Sequence, residues 1–179
     1  MSFNYAILGL LNTKPMTGYD LKKLIQKSSF LYWSGNNNQI YKGLLHLQNK
    51  DLVTNEIEHQ DGAPSKKIYT ITPLGKKELR KWILESPKEP PEFKKDFLIQ
   101  LACSSDLETD EIITILTHYK ESLETKILME RELLRRQEGL SSSSRKERFL
   151  WQMIKENLIS TFENELVWIE DVKNGIGKE

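Results

Sequence analysis

The chain has 179 residues, 26 Lys+Arg balanced by 26 Asp+Glu, and a single cysteine, Cys103. That length holds one or two domains with a core, while one cysteine excludes an intramolecular disulfide framework and suits a reducing compartment. No apolar run nears the roughly 18 residues that span a bilayer, and residues 6–11 are too short and lack the basic flank of a signal peptide, so a cytoplasmic protein is expected.

The zero net charge conceals a division. Residues 1–86 carry 12 basic against 7 acidic side chains, net +5, and residues 87–179 carry 14 against 19, net −5. A basic amino-terminal half joined to an acidic carboxy-terminal half fits a nucleic-acid module with a separate partner domain.

Residues 3–11 read as a short, strongly apolar helix closed by Pro15. Thr17, with Asp20 three residues on, has the spacing of a helix N-cap, and Leu21, Leu24 and Ile25 form the stripe that helix would bury. Glycine and three asparagines at 35–38 interrupt the pattern. Helical periodicity resumes over 36–53 and sorts two faces. Ile40, Leu44 and Leu47 form the face to be buried, and Gln39, Lys42, Gly43 and His46 the opposite one. That second stripe holds an amide, a cation, an imidazole and a gap, with no carboxylate. Amide and cationic donors match base edges and phosphates, and a glycine permits close approach.

Residues 53–59 then alternate as a strand, 60–65 turn, and 66–71 form a second strand. Thr72-Pro73 is cap and first-turn proline of another helix, expected to bury Leu74, Leu79, Trp82 and Ile83. Three helices, a two-stranded hairpin and a helix make the order of a winged helix-turn-helix, whose third helix enters the major groove. Three prolines in residues 86–92 mark a boundary. A short helix over 96–103, a long one over 109–137 with Ile112, Leu116, Tyr119, Leu123, Ile127 and Leu134 as its stripe, and a last one capped by Ser144 and Glu147 complete the chain. Extended to Lys173, the last helix is ~45 Å long, and the two long helices carry more apolar surface than the 93 residues from 87 to 179 can cover alone.

The motifs Ile7-Leu8-Gly9-Leu10-Leu11, Thr17-Gly18-Tyr19-Asp20-Leu21 and Gln39-Ile40-Tyr41, followed by Leu44, Leu47 and Leu52-Val53, resemble the PadR family of transcriptional regulators. So do the wing from Gly62 through Pro64, Lys66-Lys67 and Tyr69 to Ile71-Thr72, Lys95-Asp96-Phe97-Leu98, and, more loosely, Glu165-Leu166 with Trp168-Ile169. The chain departs from the family at Ala63, often basic there, and at Asp51, often glycine. The resemblance implies a mainly α fold with a small two-stranded wing: a winged-helix DNA-binding domain at 1–86, a proline-rich linker at 87–95 and an all-α dimerisation domain at 96–179. It also implies a homodimeric regulator, a repressor of an inverted-repeat operator in double-stranded DNA, released by a small aromatic or lipophilic effector. A winged-helix adaptor that binds proteins is the alternative on fold grounds.

Gln39 and Lys42 are expected to face bases, with Asn38 and His46 near them. Tyr41, Thr17, Lys66 and Lys67 are expected to touch phosphate. Ile154, Leu158, Phe162 and Ile169 are the expected dimer interface. Trp82, Phe93, Phe97 and Trp151 stand either as packed core or as the lining of an effector pocket. His46, His59 and His118 share no metal-ligand spacing with Cys103, and no nucleophile elbow, P-loop or dinucleotide fingerprint occurs. No enzyme, metal or cofactor is expected.

Overall fold

Two threonines start helices by the same device. Thr17 caps α2 (Gly18–Lys27): its hydroxyl accepts from the Asp20 backbone N–H at 3.1 Å and donates to Asp20 Oδ2 at 2.7 Å, and the carboxylate reaches back to the Thr17 N–H at 3.3 Å. Thr72 caps α4 (Pro73–Leu84) by accepting from the Gly75 N–H at 2.9 Å, with Pro73 at the first helical position where its missing N–H costs nothing. Both caps agree with the sequence reading. The Thr17 bond is the main cause that holds the Asp20 carboxyl below its ordinary pKa.

The computed structural model describes residues 2–28, 31, 38–60, 63–85, 87, 95–135 and 144–176. The asparagine-rich stretch at 32–37, the wing tip Asp61-Gly62, most of the proline-rich linker, Phe93, and the Gly139 and Ser141–Ser143 helix stop lie outside the described residues. The chain divides into two compact units, Met1–Pro91 and Glu92–Glu179.

In the first unit, α1 (Ser2–Leu11), α2, α3 (Asn38–Asn49) and α4 pack with a small sheet. The sheet has three strands, not two: β1 (Met16–Thr17), β3 (Ala63–Ile71) and β2 (Val53–Gln60) lie in the order β1-β3-β2, all antiparallel. A two-residue strand is too short to show alternation, so sequence periodicity missed it. The core joins Ile7, Leu8 and Leu11 of α1 to Leu21, Ile40, Leu44 and Leu47, closed by Met16, Tyr69 and Ile71. Ile40, Leu44 and Leu47 are each at most 5% exposed. At roughly 1.5–3 kcal/mol per buried aliphatic side chain, they outweigh the ~1 kcal/mol that Gly43 costs a helix.

The end of α3 is built with care. The Leu52 N–H bonds the Leu47 carbonyl at 3.0 Å and the Asp51 N–H bonds that of Gln48 at 2.9 Å, the paired bonds of a left-handed helix stop. Asp51 stands at that stop with φ 55°, where glycine carries no steric penalty but aspartate is tolerated. Expected burial along α4 is corrected. Leu79 is buried, but Leu74, Trp82 and Ile83 are 51%, 38% and 63% exposed, because α4 turns only one narrow face to α1 and the sheet. Trp82 instead stacks on Tyr5, centroids 4.6 Å apart, and Tyr5 donates a hydrogen bond to Glu78 Oε1 at 3.2 Å.

The second unit is an antiparallel pair, α6 (Thr109–Arg135) and α7 (Arg145–Ile176), with the short α5 (Asp96–Ala102) against it. Direction follows from the cross-links: Thr117 meets Lys173, Lys120 meets Glu170, and Arg131 meets Glu163. Leu116, Leu123 and Ile127 of the expected stripe are buried, joined by Glu130, whose carboxylate is paired with Lys126 at 3.1 Å. Ser144 caps α7 by accepting from the Glu147 N–H at 3.1 Å. Phe97 stacks on Tyr119 at 3.8 Å and meets Trp168 edge-on at 6.4 Å.

Tyr119 donates to Glu165 Oε1 at 3.3 Å, and Lys95 also bonds Glu165. Burial, followed by the Glu165 charge and that hydrogen bond, pushes the Tyr119 phenol up to about 12 from 10.0. The folded state therefore holds this proton more tightly than the unfolded chain. The resulting stability is complete below pH 10 and lost as pH rises through about 12. Replacing Tyr119 with Phe removes the titrating group, so between those limits the urea midpoint of Tyr119→Phe should fall less steeply with pH than that of the parent. Parallel slopes would place the phenol elsewhere than against Glu165.

Candidate nucleic-acid interface

The outward face of α3 is fixed by what its inward face touches. Ile40, Gly43, Leu44 and Leu47 are buried. At 100° per residue their opposite arc is centred on Asn38, Lys42, Leu45 and Asn49, with Tyr41 on one flank and Gln39 and His46 on the other. All of these are exposed. None is acidic, so the arc offers amides, a cation and one apolar side chain, a set suited to base edges.

Two residues of this arc, Leu45 and Asn49, were not singled out from sequence. Gly43 is corrected. A Cβ there would lie 2.8 Å from Ile7 Cδ1 and 3.1 Å from Asn4 Oδ1. Gly43 therefore lets α1 approach α3 and does not face outward. A wheel drawn from Ile40, Leu44 and Leu47 at 100° per residue already puts Gly43 on the inward half and Leu45 and Asn49 on the outward one, so both facts were readable from the sequence.

His46 stands where the outward arc meets a hollow of about 430 Å³ shared by α1, α3 and α4, with Lys50, Asn4, Tyr5 and Glu78 on its walls. Tyr41 leans on the start of α2: a Cβ on Gly18 would sit 2.7 Å from its ring. Its hydroxyl remains at a surface where the ring is 54% exposed. Thr17, expected at phosphate, has its hydroxyl proton committed to Asp20.

The wing divides its lysines. Side chains alternate across a strand, so Lys66 and Lys67 point to opposite faces. Lys67 pairs with Ile57, shares its face with Tyr69 and places Nζ 5.5 Å from that ring's centroid; Tyr69 in turn senses Tyr41. Lys66 lies across from Glu58, and its charge helps to depress Asp20. The two cations serve different surfaces.

In the second unit, Ile154 is 39% exposed, and Leu158 and Phe162 are half-buried. Ile169 is 0% exposed within its own chain, packed in the core with Leu116 and Phe97. It has no surface left for a partner, which corrects its expected interface role. Phe149, Leu150 and Met153, not among the interface residues expected from sequence, are 59%, 49% and 44% exposed. Of the aromatics considered for a pocket, Trp82 is stacked on Tyr5, Phe97 is core of the second unit, Trp151 is half-buried on α7, and Phe93 lies outside the described residues. Among the described residues no group of three or more His, Cys, Asp or Glu could hold a metal ion, and no helix is long and apolar enough to cross a membrane.

Comparison with known proteins agrees with this geometry. Residues 7–81 match the "Transcriptional regulator PadR-like family", and residues 93–176 match "Virulence activator alpha C-term". The chain is similar to the negative transcriptional regulator PadR of Bacillus subtilis, 32% identical over 111 residues, which are 60% of this chain and 61% of that protein. It is also similar to a probable transcriptional regulator, Rv1176c, of Mycobacterium tuberculosis, 35% identical over 92 residues, 50% of this chain and 49% of the other. The matches thus span about half to three-fifths of these relatives. In fold it resembles the crystal structure of Bacillus subtilis PadR with operator DNA, at a TM-score of 0.86 and 24% identity over 98% of this chain and 99% of that one. The same protein with p-coumaric acid gives 0.80 and 24%, over 99% of each chain.

The inward placement of Gly43 can be measured without DNA. Gly43→Ala should destabilise by about 1–3 kcal/mol through overpacking against Ile7, whereas Gly18→Ala should stay within about 1 kcal/mol because an exposed Tyr41 ring can swing aside. Urea denaturation of both variants decides it, and a Gly43→Ala stabilised by the ~1 kcal/mol that alanine gains over glycine at a solvent-facing helix position would turn that glycine back towards solvent.

Proposed function

We propose that the chain is a PadR-like transcriptional regulator, as its match over residues 7–81 and its likeness to the Bacillus regulator support, and that it is a homodimeric DNA-binding repressor that reads an inverted-repeat operator through α3. One observation carries this reading: an acid-free arc of amide and cationic side chains on α3, held outward by a buried opposite face. Gln39 and Lys42 contact base edges, with Asn38, Asn49 and His46 beside them. Tyr41 and Lys67 contact the backbone, Lys67 from the face of the wing that it shares with Tyr69. The negative regulator PadR supports the sense of control by its name. Its complex with operator DNA supports the choice of ligand.

Dimerisation follows from uncovered apolar area. The α6–α7 cross-links run from Thr117–Lys173 to Arg131–Glu163, so the first turns of α7 reach past the end of α6. There Phe149, Leu150, Met153 and Ile154 are exposed. A second copy is the occupant that also supplies two reading helices, and a two-fold dimer matches an inverted repeat. Relief of repression by a small aromatic or lipophilic effector completes the proposal, supported by the p-coumaric acid complex of the Bacillus relative. The protein works where its DNA is, in the cytoplasm.

Binding to duplex should weaken steeply with salt as counterions are released. Gln39→Ala should cost about 1–3 kcal/mol and relax preference at one operator position, while Lys67→Ala weakens all sequences alike. Fluorescence anisotropy against operator and random duplex separates the two effects. Absence of duplex affinity even at low salt would favour the protein-binding adaptor.

Sedimentation tests assembly. Ile154→Asp together with Phe149→Glu should yield a folded monomer with only half-site affinity, since linked heads gain effective concentration that one head lacks. A doubly substituted protein that still sediments as a dimer would move the interface away from the start of α7.

A further inference from the structure

Among the polar side chains at the centre of the outward arc of α3 stands one that can neither donate nor accept a hydrogen bond. Leu45 is 59% exposed, three residues after Lys42 and four before Asn49, on the side of the helix opposite Ile40 and Leu47. A single exposed leucine on a protein surface needs no explanation by itself. This one occupies the middle of the face that meets the groove, where each neighbour is chosen for its hydrogen-bonding head.

Resting on the DNA-binding reading above, we propose that Leu45 is a specificity residue that reads the C5-methyl group of a thymine in each half-site. Each base pair presents its own pattern in the major groove, and the thymine methyl is its one apolar feature. An isobutyl group gains by covering that methyl. Set against the cytosine amino group or a guanine acceptor, it would strip water from a polar edge and return nothing. Lys42 and Asn49 lie about one helical turn to either side, ~5.4 Å in pitch, against ~3.4 Å between stacked bases. They therefore fall on neighbouring base pairs, and the thymine lies between the positions they read. Leu45 is more than half exposed and is no member of the buried cluster of the first unit, so its replacement separates recognition from folding.

The test uses the full chain and a duplex that the protein itself enriches from a random library. Each thymine is replaced in turn by deoxyuridine, which removes only the methyl group. For the parent protein, uracil at one position per half-site should weaken binding about three- to fivefold, the worth of one methyl group withdrawn from water. Leu45→Ala should bind the thymine and uracil duplexes alike, with its thermal melting unchanged. Indifference of the parent to uracil at every position, or an equal uracil penalty in Leu45→Ala, would overturn the assignment while leaving DNA binding intact. Failure to enrich any duplex would overturn the DNA-binding reading, and this inference with it.

Discussion

Everything that α3 presents depends on how its carboxy-terminal end is fastened to the start of α4. The Thr72 hydroxyl donates to the Asp51 carbonyl at 2.7 Å while it accepts from the Gly75 N–H, and the Thr72 N–H bonds the Leu52 carbonyl at 3.0 Å. One residue thus caps α4 and ties down the chain leaving α3. Gly75 makes the fit possible, since a Cβ there would meet the Leu52 carbonyl oxygen at 2.1 Å. With the left-handed turn at Asp51, these bonds help to hold the roll of α3, and a roll of about 100°, one residue's angle, would exchange Lys42 for its buried neighbour Gly43.

Such fastening matters because the two faces of α3 are governed by different physics. Burial of Ile40, Leu44 and Leu47 is worth several kcal/mol in total and fixes the rotation of the helix with little regard for its polar residues. The outward arc is what that rotation leaves over. Its members owe their position to the core and their chemistry to themselves, so substitutions there change what is recognised with little effect on whether the unit folds. Gly18 and Gly43 belong to the first kind of constraint: each lets a second element come close, a ring in one case and a helix in the other.

In the second unit the ion pairs between α6 and α7 set register more than stability. Lys120–Glu170 and Arg131–Glu163 are substantially exposed, so solvent screens both pairs and they add little to stability. The apolar and aromatic cluster around Phe97, Leu116, Tyr119 and Ile169 supplies the cohesion. That cluster lies at one end of the antiparallel pair, and the start of α7 lies at the other with its apolar side chains uncovered.

Much of this was legible in the sequence where local rules act alone. Caps at Thr17, Thr72 and Ser144 follow from side-chain chemistry within three residues, and helical periodicity located α3, α6 and α7. The wing followed from alternation around a glycine-proline turn, and the PadR resemblance from motifs in order. Tertiary structure decided what depends on a second element. It set Gly43 against Ile7 of α1, put Glu58 opposite Lys66 and Ile57 opposite Lys67, and added β1 to the sheet. It also enclosed Ile169 within its own chain and left Leu74 and Ile83 open. Periodicity gives the angle between residues on a helix but not its zero, and only contact with a neighbouring element sets that zero.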